Sequence, residues 1–194
     1  MAAQQLDCGV ASLLAVTPCF VISSGAKQSR SRGRGWRGGA VARLVSAHYS
    51  AAVPSALYNR DILRLAASIP HLGRLELAHG HAEKRSPVCG STVAVDVSLD
   101  GEGRVAALGQ EVKACALGQA SASLMGAHAL GRSPAELTDA RDAFAAWLRG
   151  ERDDPGVWPG LDVFAHARPH AARHASILLA FEAAAEAAHQ AARR

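Results

Sequence analysis

The chain has 194 residues, 49% hydrophobic and 20% charged, enough for one domain that buries about 70% of the surface of its unfolded chain. No apolar run reaches the roughly eighteen residues of a membrane span, which excludes one. The formal charge of +4 is lopsided: residues 1–52 carry Lys27, Arg30, Arg32, Arg34, Arg37 and Arg43 against the single acid Asp7, and the remainder carries fifteen basic and sixteen acidic side chains. No nucleic-acid partner is therefore expected of the main body.

Residues 1–52 form a leader. Its stretch SSGAKQSRSRGRGWRGG has almost nothing to bury and is expected to be disordered. An Arg- and Ser-rich, acid-poor leader suits an organellar transit peptide, and RGRGWRGG suits an RNA-binding arm. The preferred reading is a misassigned start, because FVISSGAKQSR looks like a translated bacterial intergenic repeat and Val53 stands where helical patterning begins. The apolar stretch Val10 to Ile22 lacks the preceding positive charge of a secretory signal, so the protein is expected to be cytoplasmic.

Leu57, Ile62, Leu65 and Ile69 recur at helical spacing before Pro70, which predicts a first helix. Leu75 and Leu77 flank Glu76 in a predicted short edge strand, and Gly80 with the polar run His81 to Ser86 reads as a loop. Thr92 to Leu99 alternates strictly, with Val93, Val95, Val97 and Leu99 on one face: a half-buried strand. Asp100 to Gly103 supply a turn, and Arg104 to Ala114 returns as the second arm of an antiparallel hairpin.

A small-residue helix follows Cys115 and stops at Gly131. Ser133, Pro134 and Glu136 form a capping box that opens a helix with Leu137, Ala140, Phe144 and Trp147 on one stripe. Residues 151–168, with Pro155, Gly156, Pro159 and Gly160, read as an ordered loop, and Pro169 to Ala192 as an Ala-rich helix burying Ile177, Phe181, Ala184 and Ala188. The order of elements predicts an α+β domain over residues 53–194, a small antiparallel sheet packed against helices.

Of four cysteines, Cys8 and Cys19 lie in the leader, and Cys89 and Cys115 in patterned sequence, where they are expected as thiols. Cys89 precedes the first long strand and Cys115 follows the second, so an antiparallel hairpin returns both to one end of the sheet. Cys115 also opens a helix, where the dipole favours a thiolate, the form that metals and sulfur transfer need. Gly90 removes a Cβ and lets backbone N–H groups approach a bound anion or sulfide. Two buried small hydrophobes are the plainer alternative.

On Cys89-Gly90, Cys115 and the helix start Gln119-Ala-Ser-Ala-Ser123, the stretch from Leu57 to Ala188 resembles the IscU/NifU-type iron–sulfur cluster assembly scaffolds, nearer the SufU-like branch. The resemblance implies a SufE/NifU-like fold, a non-catalytic scaffold role, a cysteine desulfurase as sulfur source and apo iron–sulfur proteins as recipients. The loop from Gly150 to Arg168 is like the insertion of SufU-type proteins, and the chaperone-recognition LPPVK stretch of IscU proteins is absent.

Two positions depart from that pattern. Ser91 stands where the family has Asp, and in RHASILL the third cysteine's place is assigned to His174. Imidazole is a competent ligand for iron or zinc but cannot carry a persulfide. The expected site is therefore Cys89, Cys115 and His174 around iron or a [2Fe-2S] cluster. His170, four residues earlier, would make a Cys2His2 zinc set, and His79 and His81 are further candidates for a fourth ligand. The alternatives are a zinc-bound sulfur-relay protein and a degenerate binding module.

Overall fold

The computed structural model describes residues 57–194; the leader, its predicted disorder, the start at Val53, Cys8 and Cys19 lie outside them. The described residues form an α+β unit in the order α1 (Arg60–Ala66), β1 (Gly80–Arg85), β2 (Thr92–Leu99), β3 (Val105–Lys113), α2 (Ala116–His128), α3 (Pro134–Leu148), a 3-10 helix (Leu161–Ala167) and α4 (Ala171–Ala192). The strands make one antiparallel sheet, β1-β2-β3. Among the described residues no helix is long and apolar enough to cross a membrane.

Helix α1 starts later than predicted, because the Asn59 side chain accepts from the Ile62 N–H at 2.9 Å and so caps it. The edge strand is not Leu75–Leu77 but the predicted loop, Gly80–Arg85. Its inward residues are Gly80 and Ala82, whose small size gives no apolar alternation to read. The smallness has a cause: a Cβ on Gly80 would overlap the Ala187 carbonyl oxygen and come within 2.7 Å of the Ala191 nitrogen, so α4 lies directly on β1.

Strand β2 keeps the predicted inward valines, with Val93, Val95 and Val97 wholly buried, but Ala94 and Asp96 on its other face are buried too. The chain from His71 to Leu75 lies against that face: the Gly73 N–H donates to the Gln110 carbonyl of β3 and the Gln110 N–H to the His71 carbonyl, each at 2.9 Å, and Asp96 accepts from Arg74, from the Leu75 N–H and from the His81 ring. These contacts outweigh the desolvation that would raise the Asp96 carboxyl and hold its pKa below the ordinary value.

The opposite face carries α4, flanked by α2 and α3. The core centres on Phe144, which meets Phe181 at 5.4 Å and Phe164 at 5.5 Å between ring centres. The capping box forms as predicted, with Ser133 and Glu136 bonding reciprocally, and Leu137, Ala140, Phe144 and Trp147 are all buried. Within the loop after α3, Trp158 is buried and donates from Nε1 to the Leu124 carbonyl at 3.1 Å, and Leu161 and Phe164 of the 3-10 helix are buried with it.

Candidate metal centre

The hairpin does what its sequence requires of the two cysteines. Thr92, the first residue of β2, pairs with Lys113, the last of β3. Cys89 lies in the loop entering that end of the sheet and Cys115 two residues beyond it. The loop from Ser86 to Ser91 is closed by two backbone bonds, Ser86 N–H to Ser91 O at 2.8 Å and Gly90 N–H to Ser86 O at 3.0 Å. Gly90 turns it with φ +70°, and nothing lies within 4 Å of where its Cβ would be. Gly90 is thus required for its backbone conformation, and the space where its Cβ would stand is open.

Ser91 joins the two cysteines. Its hydroxyl lies 3.1 Å from the Cys89 sulfur and accepts from the Cys115 backbone N–H at 3.4 Å. Cys115 is the N-cap residue of α2, but its thiol makes no cap bond; it meets the Ser176 hydroxyl of α4 at 3.1 Å. Both thiols are free, Cys89 exposed and Cys115 half-buried.

The Cys89 thiol is pulled down from 9.0 to about 7. The largest cause is the Ser86 hydroxyl; the Ser91 hydroxyl and backbone follow, burial opposes, and the Arg173 charge adds a little. Ser86 is wholly buried, and its Oγ forms no hydrogen bond in the resting geometry. The firm bond is therefore the one from Ser91, and Ser86 acts as a near dipole with a donor to spare for a sulfur anion.

The histidines lie apart from the thiols. His174 Nε2 faces two carbonyl oxygens, Arg168 at 3.0 Å and Ala167 at 3.2 Å. Between two acceptors Nε2 carries the proton and donates to them, which leaves the ring's lone pair on Nδ1. The Ala167 carbonyl, at the end of the 3-10 helix, also accepts from the His170 N–H at 2.9 Å, and His174 adds a side-chain bond there and at Arg168. The α4 side chain on the Cys115 thiol is Ser176, two positions on. Two residues rotate a helix by about 200°, so a helix that presents Ser176 turns His174 away.

His170 is the exposed N-cap of α4 and makes no cap bond. His79 accepts from the Leu99 N–H, and His81 is bonded to Asp96 at the far end of β1. Among the described residues no three His, Cys, Asp or Glu side chains gather as a metal-holding group. Sequence reasoning missed Ser86 and Ser176 as members of the site, since isolated serines carry no signal; Ser91 it met only as a departure from Asp.

No protein-family model matches the chain, and no curated protein does. Solved structures do. The chain is similar to a nitrogen-fixing NifU-like protein (N-terminal) from Brucella abortus, at 37% identity and a TM-score of 0.68, over 72% of this chain and 97% of that one. It shares its fold with a protein described as an iron–sulfur cluster assembly scaffold for the SUF system from thermophilic Fervidobacterium islandicum AW-1, at 21% identity, TM-score 0.64, over 70% of this chain and 98% of that one. It shares it also with a hypothetical protein at 22% identity and TM-score 0.62, over 70% of this chain and 98% of that one. With the frame, the two-thiol hairpin and this identity together, the chain belongs to the NifU-like family of IscU/NifU-type iron–sulfur cluster assembly scaffolds.

Proposed function

We propose that this protein is a cytoplasmic, non-catalytic scaffold on which a [2Fe-2S] cluster is built and from which it is handed to apo iron–sulfur proteins. Cys89 and Cys115 are its thiolate ligands. The observation that carries the reading is that two free cysteines flank one serine hydroxyl at the open end of the sheet, Cys89 through its thiol and Cys115 through its backbone N–H. Thiolates are the donors iron–sulfur clusters take. A thiol poised near neutrality gives up its proton to iron at little cost, and one side on the surface leaves room for a donor protein to deliver sulfur and a recipient to remove the product.

The cluster is cargo, so its binding has to be reversible. Hydroxyls at Ser91 and Ser176, where carboxylate or thiolate would grip harder, favour release. Sulfur comes from a cysteine desulfurase in this reading, and His174, bonded to backbone carbonyls, takes no part in its transfer.

The test is transfer. Protein loaded anaerobically with iron and sulfide is mixed with an apo [2Fe-2S] ferredoxin, and the acceptor's visible circular dichroism is followed. Its appearance at a rate above that of free iron and sulfide supports the scaffold. A rate no greater than that of the free ions contradicts it.

A further inference from the structure

His81 takes no part in the thiol site, yet it stands in a tight polar cluster at the far end of β1. Its Nδ1 lies 2.7 Å from Asp96 Oδ1. That carboxylate is 1% exposed and also accepts from Arg74 Nε at 2.6 Å and from the Leu75 N–H at 3.1 Å. A carboxylate accepts, so Nδ1 carries the ring proton and the lone pair of the neutral ring stands on Nε2. Among the described residues the ring's polar contacts all run through Nδ1, and the side chain is 41% exposed, so Nε2 is open to solvent. His79, two residues earlier, is the reverse case: its Nδ1 accepts from the Leu99 N–H at 3.1 Å, which puts the proton on Nε2.

Arg74 completes the cluster. Its Nη2 lies 3.3 Å from His81 Nδ1 and gives one hydrogen to Asp96 Oδ1 at 3.2 Å, which leaves a second. A buried carboxylate on Nδ1 fixes the tautomer and supports the positive charge a ring acquires when Nε2 attacks. A guanidinium at the ring's side suits phosphoryl oxygens. Two carboxylates oppose an incoming anion: Glu83, which follows His81 by two residues on the same face of β1, and Glu111, 4.0 Å from Arg74 Nη1.

We propose that His81 accepts a phosphoryl group on Nε2 from a small acyl phosphate. The Nε2 lone pair forms the N–P bond, the bond from phosphorus to the acyl oxygen breaks, and the carboxylate leaves with that electron pair. The ring proton stays on Nδ1, shared with Asp96. The reaction goes beyond the scaffold reading and asks nothing of Cys89 or Cys115.

The experiment incubates the full chain with acetyl phosphate at about pH 8, where surface imidazoles are neutral. Phosphorylated peptides are quantified by mass spectrometry in alkaline solution, which preserves the N–P bond. His166 and His170, both exposed, serve as internal references. Labelling of His81 about tenfold faster than of either reference is expected, with the advantage lost in urea and kept in Cys89→Ala/Cys115→Ala. Asp96→Asn keeps an acceptor for Nδ1 without the charge and lowers the His81 rate about tenfold, with the reference rates unchanged. Glu83→Gln raises the rate about threefold and Arg74→Gln lowers it by a similar factor.

Label spread evenly over the histidines, or absent from His81, overturns the proposal. So does a folded Asp96→Asn labelled at the wild-type rate. Where Asp96→Asn does not fold, the exposed variant Glu83→Gln decides, and a His81 rate unchanged in it overturns the proposal as well.

Discussion

The poised thiol of Cys89 gives the sharpest prediction, because its two principal causes are single hydroxyls. In the double variant Ser86→Ala/Ser91→Ala both are gone, and the thiol returns from about 7 toward 9.0. At pH 7 the thiolate fraction then falls from about one half to about 1%, roughly fiftyfold. A more basic thiolate is also the better nucleophile. With a Brønsted slope of about 0.45, two pH units of basicity restore about eightfold, which leaves alkylation about sixfold slower at pH 7.

Above about pH 10, where both thiols are ionised, the order reverses and the variant reacts several-fold faster. The assay is alkylation of the metal-free protein by iodoacetamide across pH 5 to 11, with the Cys89 peptide quantified by mass spectrometry. Crossing pH–rate profiles are expected. Superimposable profiles would refute the assignment of the shift to Ser86 and Ser91.

Three further outcomes follow from the packing and the capping. Gly80→Ala sets a Cβ against α4 backbone, which cannot swing aside as a side chain would, and destabilises the protein by about 3 kcal/mol in urea unfolding. Glu136 is lowered from 4.5 to about 2, first by the Ser133 backbone N–H and then by Arg132; its contribution is present above pH 4.5 and lost as pH falls toward 2, so Glu136→Gln flattens the melting temperature over that window. His174→Ala costs about 1 kcal/mol by removing the ring's bond to the Arg168 and Ala167 carbonyls and leaves iron retention unchanged; a loss of iron at unchanged fold would restore His174 as a ligand.

The long elements were legible because their residues repeat. The valines of β2, the Ser-Pro-x-Glu start of α3 and the stripe from Leu137 to Trp147 each state a period and a boundary. Strand β1 was not, because the close approach of α4 demands Gly80 and Ala82, and small inward residues erase the alternation by which an edge strand is read.

The same division runs through the site. The antiparallel hairpin alone brings Cys89 and Cys115 to one end of the sheet, so their neighbourhood could be inferred from two positions and a turn. Which residue of α4 meets them depends on helix rotation, and an offset of two residues moves the answer from a histidine that caps a 3-10 helix to a serine that touches a thiol. No local pattern in RHASILL reports that angle.

The central claim is that iron and sulfide are held by these two thiols. It is tested most directly by anaerobic purification of the wild type, Cys89→Ala and Cys115→Ala, with iron, zinc and acid-labile sulfide measured on each. Iron and sulfide in equal amounts in the wild type, reduced at least tenfold in either variant, is the predicted result. Zinc without sulfide in the wild type, or iron and sulfide undiminished in both variants, would contradict it.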